Sequence, residues 1–432
     1  MMKTRDRHGL HRALFATLTG AAVALATPAA ALDICGCAGH PDSLGAFDIA
    51  DDTTWPPGST FNAGNNGGLT IPLPEDGVMI FDSFRLVSVV GFTTYLRFVR
   101  NTANTPVTLL VAGDVVIGGS SSLYVAGGYA AAATSNIAGA GGLPGPGGFR
   151  GGDAAALGVN GQSEGGEGLG PGGGSWGTSA PLTAGGVGVF VGRGELRPLV
   201  GGSGGGGGAS NSTGNCSGGG GGGGGGALLL AADGTVTVNG TIDADGGRAS
   251  GTSNGACASS GGHGGGGGVR IIAETINGSG TMFARAGDGS SGLRGAIRME
   301  SLNNSFNQNG ADPRATRVQV LSPLVNSLTP SIAITGVDGT PVPEVLQGSV
   351  GGVDFVLPAP GVVNLQVETS NVPAGTTVEV AVKPRLGGAA LRETVLLEQQ
   401  NCDTAAQCTV FASFDLQSNV YFAEAQATFQ TP

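Results

Sequence analysis

Residues 229–247 read LLAADGTVTVNGTIDADGG, and this pattern recurs with substitutions at residues 110–128 and 271–289. Each copy has an apolar start, a polar turn, two short apolar strands separated by Asn or Gly, and an Ala-Gly end. A fourth, partial copy begins at Ala296. Strands this short cannot bury a face alone, so the repeat predicts copies that stack on one another around a shared core.

Apolar and polar residues alternate within each copy with the period of two that is typical of β-strands. In the copy at 229–247, the predicted inward residues are Val236, Val238, Ile242 and Ala244. We expect Val236, Val238 and Ile242 to be buried over Ile276, Met282 and Ala284 of the next copy. Stacking of this kind predicts an all-β protein built on a parallel β-helix. An antiparallel β-sandwich with long Gly-rich loops is the alternative.

Glycine dominates the composition, with 85 of the 432 residues, and about 64 of these lie between positions 111 and 300. With charged residues at 12%, this composition excludes a helical bundle or a coiled coil, while 40% apolar residues are enough for a core. Between the copies lie nearly pure tracts such as Gly204–Gly208, Gly218–Gly226 and Gly264–Gly268. Such tracts either form flexible linkers or pack side by side in polyproline-II geometry, and we favour packing because no Cβ blocks close approach.

The charge distribution predicts an exported protein. The net charge is −11, and residues 1–31 contribute +3, so the remainder carries −14. A basic start, an apolar run of about 15 residues and Ala29-Ala30-Ala31 together predict that residues 1–31 are a cleaved signal peptide. We therefore expect the protein to be secreted or held at the cell surface, with the periplasm as an alternative location. The acidic balance argues against nucleic acid as a partner, and no later apolar run predicts a membrane span.

Composition divides the chain into four parts. After the signal peptide at 1–31, residues 32–75 form a turn-rich N-terminal cap region, and residues 76–312 form the Gly-rich β-helix domain. Residues 325–432 contain seven strand-like runs separated by turn signals, which predicts an immunoglobulin-like β-sandwich domain. One of these runs is Val353–Leu357.

The six cysteines fall into three local pairs: Cys35 with Cys37, Cys216 with Cys257, and Cys402 with Cys408. An even number in an exported protein favours disulfides, and we predict the bridges Cys216–Cys257 and Cys402–Cys408. For Cys35 and Cys37 a metal cluster that includes His40 is an alternative to oxidation, although the sequence offers no fourth ligand nearby.

With these features in place, residues 76–300 resemble the right-handed parallel β-helix (pectin-lyase-like) fold, in particular its Gly-rich exported bacterial variants. The residues that carry the resemblance are Pro106–Ile117, the Gly tracts and the Ile/Val-rich strands that end in Ala and Gly. The segments at 330–334 and 370–380 are similar to the small β-domain that often follows such repeats. The fold hosts many activities, so the resemblance implies an architecture and leaves the function open.

The sequence offers few candidate metal ligands or catalytic residues. Asp243 and Asp245 share one outward face, and Asp288 occupies the matching turn of the next copy. Oxygen ligands at this spacing are candidates for holding Ca²⁺, and solvated turn aspartates are the simpler alternative. We expect no other cofactor, and no catalytic residue stands out.

We therefore predict a non-enzymatic structural or adhesion-type surface protein, whose partner is an extracellular polysaccharide or a cell-surface component. The alternative is a β-helix protein that binds or cleaves a polysaccharide, as a lyase or a glycosidase. An outward groove lined by clustered carboxylates and arginines would favour the alternative. A surface formed mainly by glycine residues would favour the structural role.

Overall fold

The computed structural model of the chain describes residues 33–427 with internal gaps. The gaps are 63–66, 89–93, 102, 135–136, 157–163, 179–181, 211–215, 252–258, 290–292, 323, 325–329, 344–353, 405–406 and 418–419. The predicted signal peptide therefore lies outside the described residues. Among the described residues, no helix has the length and apolar character needed to cross a membrane.

The described chain is almost entirely β, with short 3-10 turns at Asp52–Thr54, Gln308–Gly310 and Gln399–Asn401. The strands up to residue 318 are β1 (Ala46–Asp48), β2 (Thr60–Asn62), β3 (Gly68–Pro72), β4 (Val78–Phe81), β5 (Ser83–Leu86), β6 (Thr94–Val99), β7 (Val107–Val111), β8 (Val115–Ile117), β9 (Ser121–Tyr124), β10 (Ala227–Val238), β11 (Thr241–Asp243), β12 (Gly268–Asn277), β13 (Thr281–Phe283), β14 (Ala296–Glu300), β15 (Asn303–Asn304), β16 (Ala311–Asp312) and β17 (Thr316–Val318).

These strands form two parallel sheets between which the chain alternates. The first sheet has the order β1-β5-β8-β10-β12-β14-β17, with β4, β7 and β15 paired beside this path. The second has the order β16-β13-β11-β9-β6-β3-β2 and is parallel except for the β2–β3 hairpin. Parallel pairing in both sheets excludes the antiparallel arrangement as an account of the repeat. The cap region contributes strands to both sheets, since β1 pairs with β5 and β3 pairs with β6.

The core lies between the two sheets and follows from the period-two alternation. Val236 lies opposite Ile276, and Ile242 lies opposite Met282, with all four side chains fully buried. The predicted burial of Val236 and Ile242 over the next copy is confirmed, with Met282 and not Ala284 opposite Ile242. Val238 is buried as predicted, but its apolar neighbour is Ile117 of the preceding copy.

The Gly218–Gly226 tract is buried along its whole length. Every third backbone N–H of the tract donates to the same neighbouring segment, which is the period expected of polyproline-II geometry. Carbonyl oxygens within residues 149–155 accept from Gly218, Gly221 and Gly224. Carbonyl oxygens within residues 259–265 accept from Gly219, Gly222 and Gly225. The tract is therefore a packed element and not a flexible linker.

Only glycine fits at these positions. A Cβ added at Gly222 would overlap the carbonyl oxygen of Gly247, and one added at Gly224 would overlap that of Gly202. The absence of side chains lets the backbones approach closely enough to hydrogen-bond to one another. Ordering glycine is entropically costly, and these hydrogen bonds offset that cost.

The C-terminal part has its own strands and its own core. Its strands are β18 (Ser331–Val337), β19 (Thr340–Pro341), β20 (Gly361–Ser370), β21 (Thr377–Pro384), β22 (Leu391–Leu396), β23 (Cys402–Thr404), β24 (Gln407–Leu416) and β25 (Tyr421–Ala427). They form two antiparallel sheets, β19-β18-β20-β24-β23 and β22-β21-β25, which contribute to one apolar cluster. The strand expected at Val353–Leu357 is wrong for 354–357, which form no strand, and Val353 lies outside the described residues.

Residues 125–226, between β9 and β10, form a Gly-rich insertion. Charged side chains join the C-terminal part to this insertion. Lys383 is buried, lies 2.9 Å from Glu424, and donates to the carbonyl oxygens of Gly168 and Gly170. Glu424 in turn accepts the N–H of Gly170. The side chains of β21 and β25 thereby form hydrogen bonds with buried backbone groups of the insertion, and the Gly170 carbonyl oxygen also accepts from the N–H of Gly173.

Candidate functional site

The outward side chains of the second sheet form a continuous row. In β11 the inward Ile242 is fully buried, so its neighbour Asp243 faces outward. The parallel register places Asp243 between Tyr124 of β9 and Phe283 of β13. The same register places Arg97 of β6 beside Tyr124, and Asp312 of β16 beside Phe283. Because neighbouring strands lie about 4.8 Å apart, these five residues span about 19 Å.

Arg97, Tyr124 and Asp243 of this row line a groove of about 940 Å³, whereas Phe283 and Asp312 are not part of its lining. Part of the lining comes from the Gly-rich insertion, through Leu143–Pro146 and through Tyr129, which is 71% exposed. Arg100, Arg248 and Asp288 also line it. The groove is therefore open to the surface and built jointly by the parallel sheet and the insertion.

Asp245 and Arg285 are locked to each other on the groove floor. The Arg285 guanidinium donates from Nη2 and from Nε to Oδ2 of Asp245, at 2.5 and 3.0 Å. The backbone N–H of Arg285 donates to the other carboxylate oxygen at 2.7 Å. The hydrogen bond to Asp245 raises the pKa of Arg285, and its guanidinium lies 3.9 Å from the centre of the Phe283 ring. The pair is a fixed polar floor with little net charge.

Asp243 is held in a different electrostatic state. Its carboxylate accepts the N–H of Asp245 at 2.9 Å. Burial, and then the nearby Asp245 carboxylate, raise the pKa of Asp243 to about 6. Asp243 is thus a group that exchanges its proton in mildly acidic solution, beside a carboxylate that is fixed by an arginine.

Tyr124 lies between an arginine and a second aromatic ring at one end of the row. The Arg97 guanidinium lies 5.1 Å from the centre of the Tyr124 ring, which lies 5.4 Å from that of Tyr95. Burial, and then the Asp243 charge, raise the pKa of Tyr124, so its hydroxyl stays protonated. Four of the fifteen arginines that follow residue 31 line this groove. Three aspartates share the same lining, so the groove carries a formal excess of one positive charge in a chain whose net charge is −11.

The structure brings Asp243, Asp245 and Asp288 to one groove, as their spacing indicates, but not as a calcium site. The carboxylates of these three residues are not among the groups whose ligand atoms lie within 4.8 Å of one another. Asp245 is also occupied by Arg285. The sequence did not identify Arg97, Tyr124 and Arg285, although their outward positions in the alternation could have revealed them.

The predicted disulfides have different outcomes. Cys402 is joined to Cys408 across β23 and β24, and Cys35 is joined to Cys37. Cys216 is buried and disulfide-bonded, while its predicted partner Cys257 lies outside the described residues.

No family model matches the chain, and neither a curated protein nor a solved structure is significantly similar to it. The functional argument therefore rests on the geometry of the groove.

Proposed function

We propose that the protein is an exported, adhesion-type surface protein that binds an anionic polysaccharide in the groove of the second sheet. The observation that carries this proposal is the row of Arg97, Tyr124 and Asp243 on three neighbouring strands along this groove. The proposed scaffold is a right-handed parallel β-helix followed by an immunoglobulin-like β-sandwich. Two parallel sheets with alternating strands and a separate antiparallel C-terminal part support that scaffold.

The shape of the groove favours a linear polymer. An open groove that crosses several strands accommodates an extended chain better than a compact metabolite, for which an enclosed pocket is usual. Tyr129, at 71% exposure, and the half-buried Tyr124 offer ring faces against which the apolar faces of sugars pack.

The charges favour an anionic polymer. Arg97 and Arg248 are exposed in the groove, whereas the charge of Arg285 is neutralised by Asp245. Arginine binds carboxylates and sulfates through two parallel hydrogen bonds. Nucleic acid is a poorer match, because it carries a phosphate charge on every nucleotide, whereas the groove has a formal excess of only one positive charge and the chain as a whole is acidic.

A screen of the mature protein against immobilised neutral and acidic glycans tests the proposal. We expect binding to acidic glycans that weakens with added salt. Arg97→Ala and Tyr124→Ala should each weaken it by about tenfold, which corresponds to about 1.4 kcal/mol. Arg85→Ala is the matched control, since Arg85 lies on the first sheet and pairs with Asp48. Equal binding by all variants, or no glycan bound at all, contradicts the proposal.

Cleavage of the bound polymer is the second candidate function, and the state of Asp243 favours it. A carboxyl with a pKa of about 6 is suited to protonating a leaving oxygen, and the neighbouring Asp245 is held by Arg285. The assay follows new reducing ends from each bound glycan over time. Cleavage that Asp243→Asn abolishes without loss of binding supports an enzyme, and binding without cleavage leaves the adhesion-type role.

A further inference from the structure

The fold places a third potential metal ligand beside the first disulfide. Cys35 and Cys37 are joined near the start of the described chain. Asp233, which is 198 positions after Cys35, accepts the backbone N–H groups of Ile34 and Cys35 at 2.6 and 3.0 Å. One oxygen of Asp233 and the two sulfur atoms lie within 4.8 Å of one another. The sequence pattern shows only the two cysteines, and the fold supplies the carboxylate.

We propose that Cys35, Cys37 and Asp233 form a redox-gated site for a thiophilic divalent cation of the zinc class. In the oxidised protein the sulfurs bond to each other and the site is closed. A phosphine supplies two electrons and water supplies two protons, so that the disulfide becomes two thiols and the phosphine becomes its oxide; two reductant thiols do the same and become a disulfide. Binding of the cation then releases both thiol protons and forms two metal–sulfur bonds and one metal–oxygen bond. A water completes the tetrahedron.

The surroundings favour a cation once the bridge is open. Asp233 is 7% exposed and Cys37 is 1% exposed, so the charges of this site are poorly solvated. Two thiolates beside the Asp233 carboxylate would place three negative charges together, which is costly without a counterion. A dication offsets that cost.

The carboxylate is also held in place before the metal arrives. Its two hydrogen bonds to the N-terminal segment fix it directly after the part of β10 that pairs with β7. Ile34 and Cys35 pack on the outer face of the first sheet against Leu229 and Ala231. Opening the bridge therefore leaves the three ligands near one another, because packing and hydrogen bonds independent of the disulfide retain the segment.

The test uses the mature protein, with Zn²⁺ alone as the probe. The protein is reduced under native conditions with a phosphine, desalted without air, and titrated with Zn²⁺ in a calorimeter. We expect one Zn²⁺ per chain for the reduced protein at this site and none for the oxidised protein. Co²⁺ in place of Zn²⁺ should give the sulfur-to-metal charge-transfer absorption of thiolate ligation.

Two variants separate this site from the other cysteines. The double variant Cys35→Ser/Cys37→Ser keeps the remaining cysteines and should lose the Zn²⁺ event. Asp233→Asn keeps an oxygen that accepts both N–H groups, so the segment stays docked, and it should weaken Zn²⁺ binding on the order of tenfold or more. A bridge that the phosphine does not open in the folded protein overturns the proposal. Zn²⁺ binding that is unchanged in either variant overturns it as well.

Discussion

At the scale of single residues, burial and neighbouring charges give similar carboxyl groups opposite properties. Asp243 has a pKa raised to about 6, chiefly by burial. Burial alone would also raise the pKa of Glu300, but hydrogen bonds from Arg270 and Arg298 outweigh it and lower that pKa to about 2. Ionisation of Asp243 therefore destabilises the folded state relative to the unfolded state, whereas ionisation of Glu300 stabilises it.

Asp243→Asn should stabilise the protein at neutral pH. The pKa of Asp243 in the folded state lies above the unfolded value of 3.8, so the folded state binds more protons between pH 3.8 and about 6. Stability contributed by this group is therefore lost as the pH rises through that window. We expect a higher denaturant midpoint than the parent for Asp243→Asn at pH 7.5, and equal midpoints at pH 3.5. A variant that is less stable than the parent at pH 7.5 contradicts the assignment.

Glu300→Gln should destabilise the protein at neutral pH. Glu300 is fully buried and receives hydrogen bonds from Arg270 and Arg298, so the amide leaves two cations without a counter-charge. Loss of one partner of a buried ion pair typically costs about 3–5 kcal/mol. The pKa of Glu300 is lowered, so its contribution is present above the unfolded pKa and is lost as the pH falls towards about 2. Urea unfolding at pH 7 and at pH 2.5 measures both effects, and a deficit that does not shrink in acid refutes the electrostatic cause.

At the scale of elements, the Gly218–Gly226 tract acts as a structural unit although it belongs to no sheet. The Gly218–Gly226 tract donates hydrogen bonds to several neighbouring segments in turn, with a period of three residues. A β-strand has a period of two and bonds to two neighbours, so the tract packs in a bundle and not in a sheet.

Gly222→Ala and Gly224→Ala should each destabilise the protein. The added methyl group would overlap the carbonyl oxygen of Gly247 or of Gly202, and overpacking of this kind costs about 1–3 kcal/mol or more. Gly251→Ala is the matched control, because a Cβ there meets nothing within 4 Å. It should be neutral or stabilising by up to about 1 kcal/mol. Denaturant midpoints of the three variants decide the matter, and unchanged midpoints for the first two would mean that the tract is not packed.

The alternation within elements can be read from the sequence, whereas the assembly of the groove cannot. A period of two is enough to place Val236 and Ile242 inward and Asp243 outward. Arg97 comes from an irregular earlier strand, and Leu143–Pro146 come from the insertion, so their meeting with Asp243 depends on long-range register. The approach of Asp233 to Cys35 has the same origin, since 198 positions separate them and no local pattern encodes their contact.

At the scale of the whole molecule, the structured chain beyond residue 31 is a single compact unit. Lys383, the only lysine in the sequence after residue 31, lies where the C-terminal part meets the insertion. Arg385 pairs there with Asp153, which is buried and also pairs with Arg150. Ionic and backbone hydrogen bonds thus connect the two parts.

Lys383 should resist amine-reactive labelling in the folded protein because its ammonium group is buried and bonded to Glu424 and two carbonyl oxygens. Lys383→Met would leave Glu424 without its counter-charge, at a cost of about 3–5 kcal/mol. Arg392→Met is the control, as its pair with Glu379 is exposed and is worth at most about 1 kcal/mol. Mass spectrometry measures how fast Lys383 is labelled at each urea concentration. Rapid labelling without urea contradicts the described junction.

Binding of an anionic polysaccharide in the groove of the second sheet is decided by a crystal structure of the protein with a bound acidic oligosaccharide. We expect sugar rings that lie across the strands, against Tyr124 and Tyr129, with acidic groups paired to Arg97 and Arg248. Sugar bound on the glycine tracts or on the C-terminal sheets, with the groove filled only by water, would contradict the proposed function.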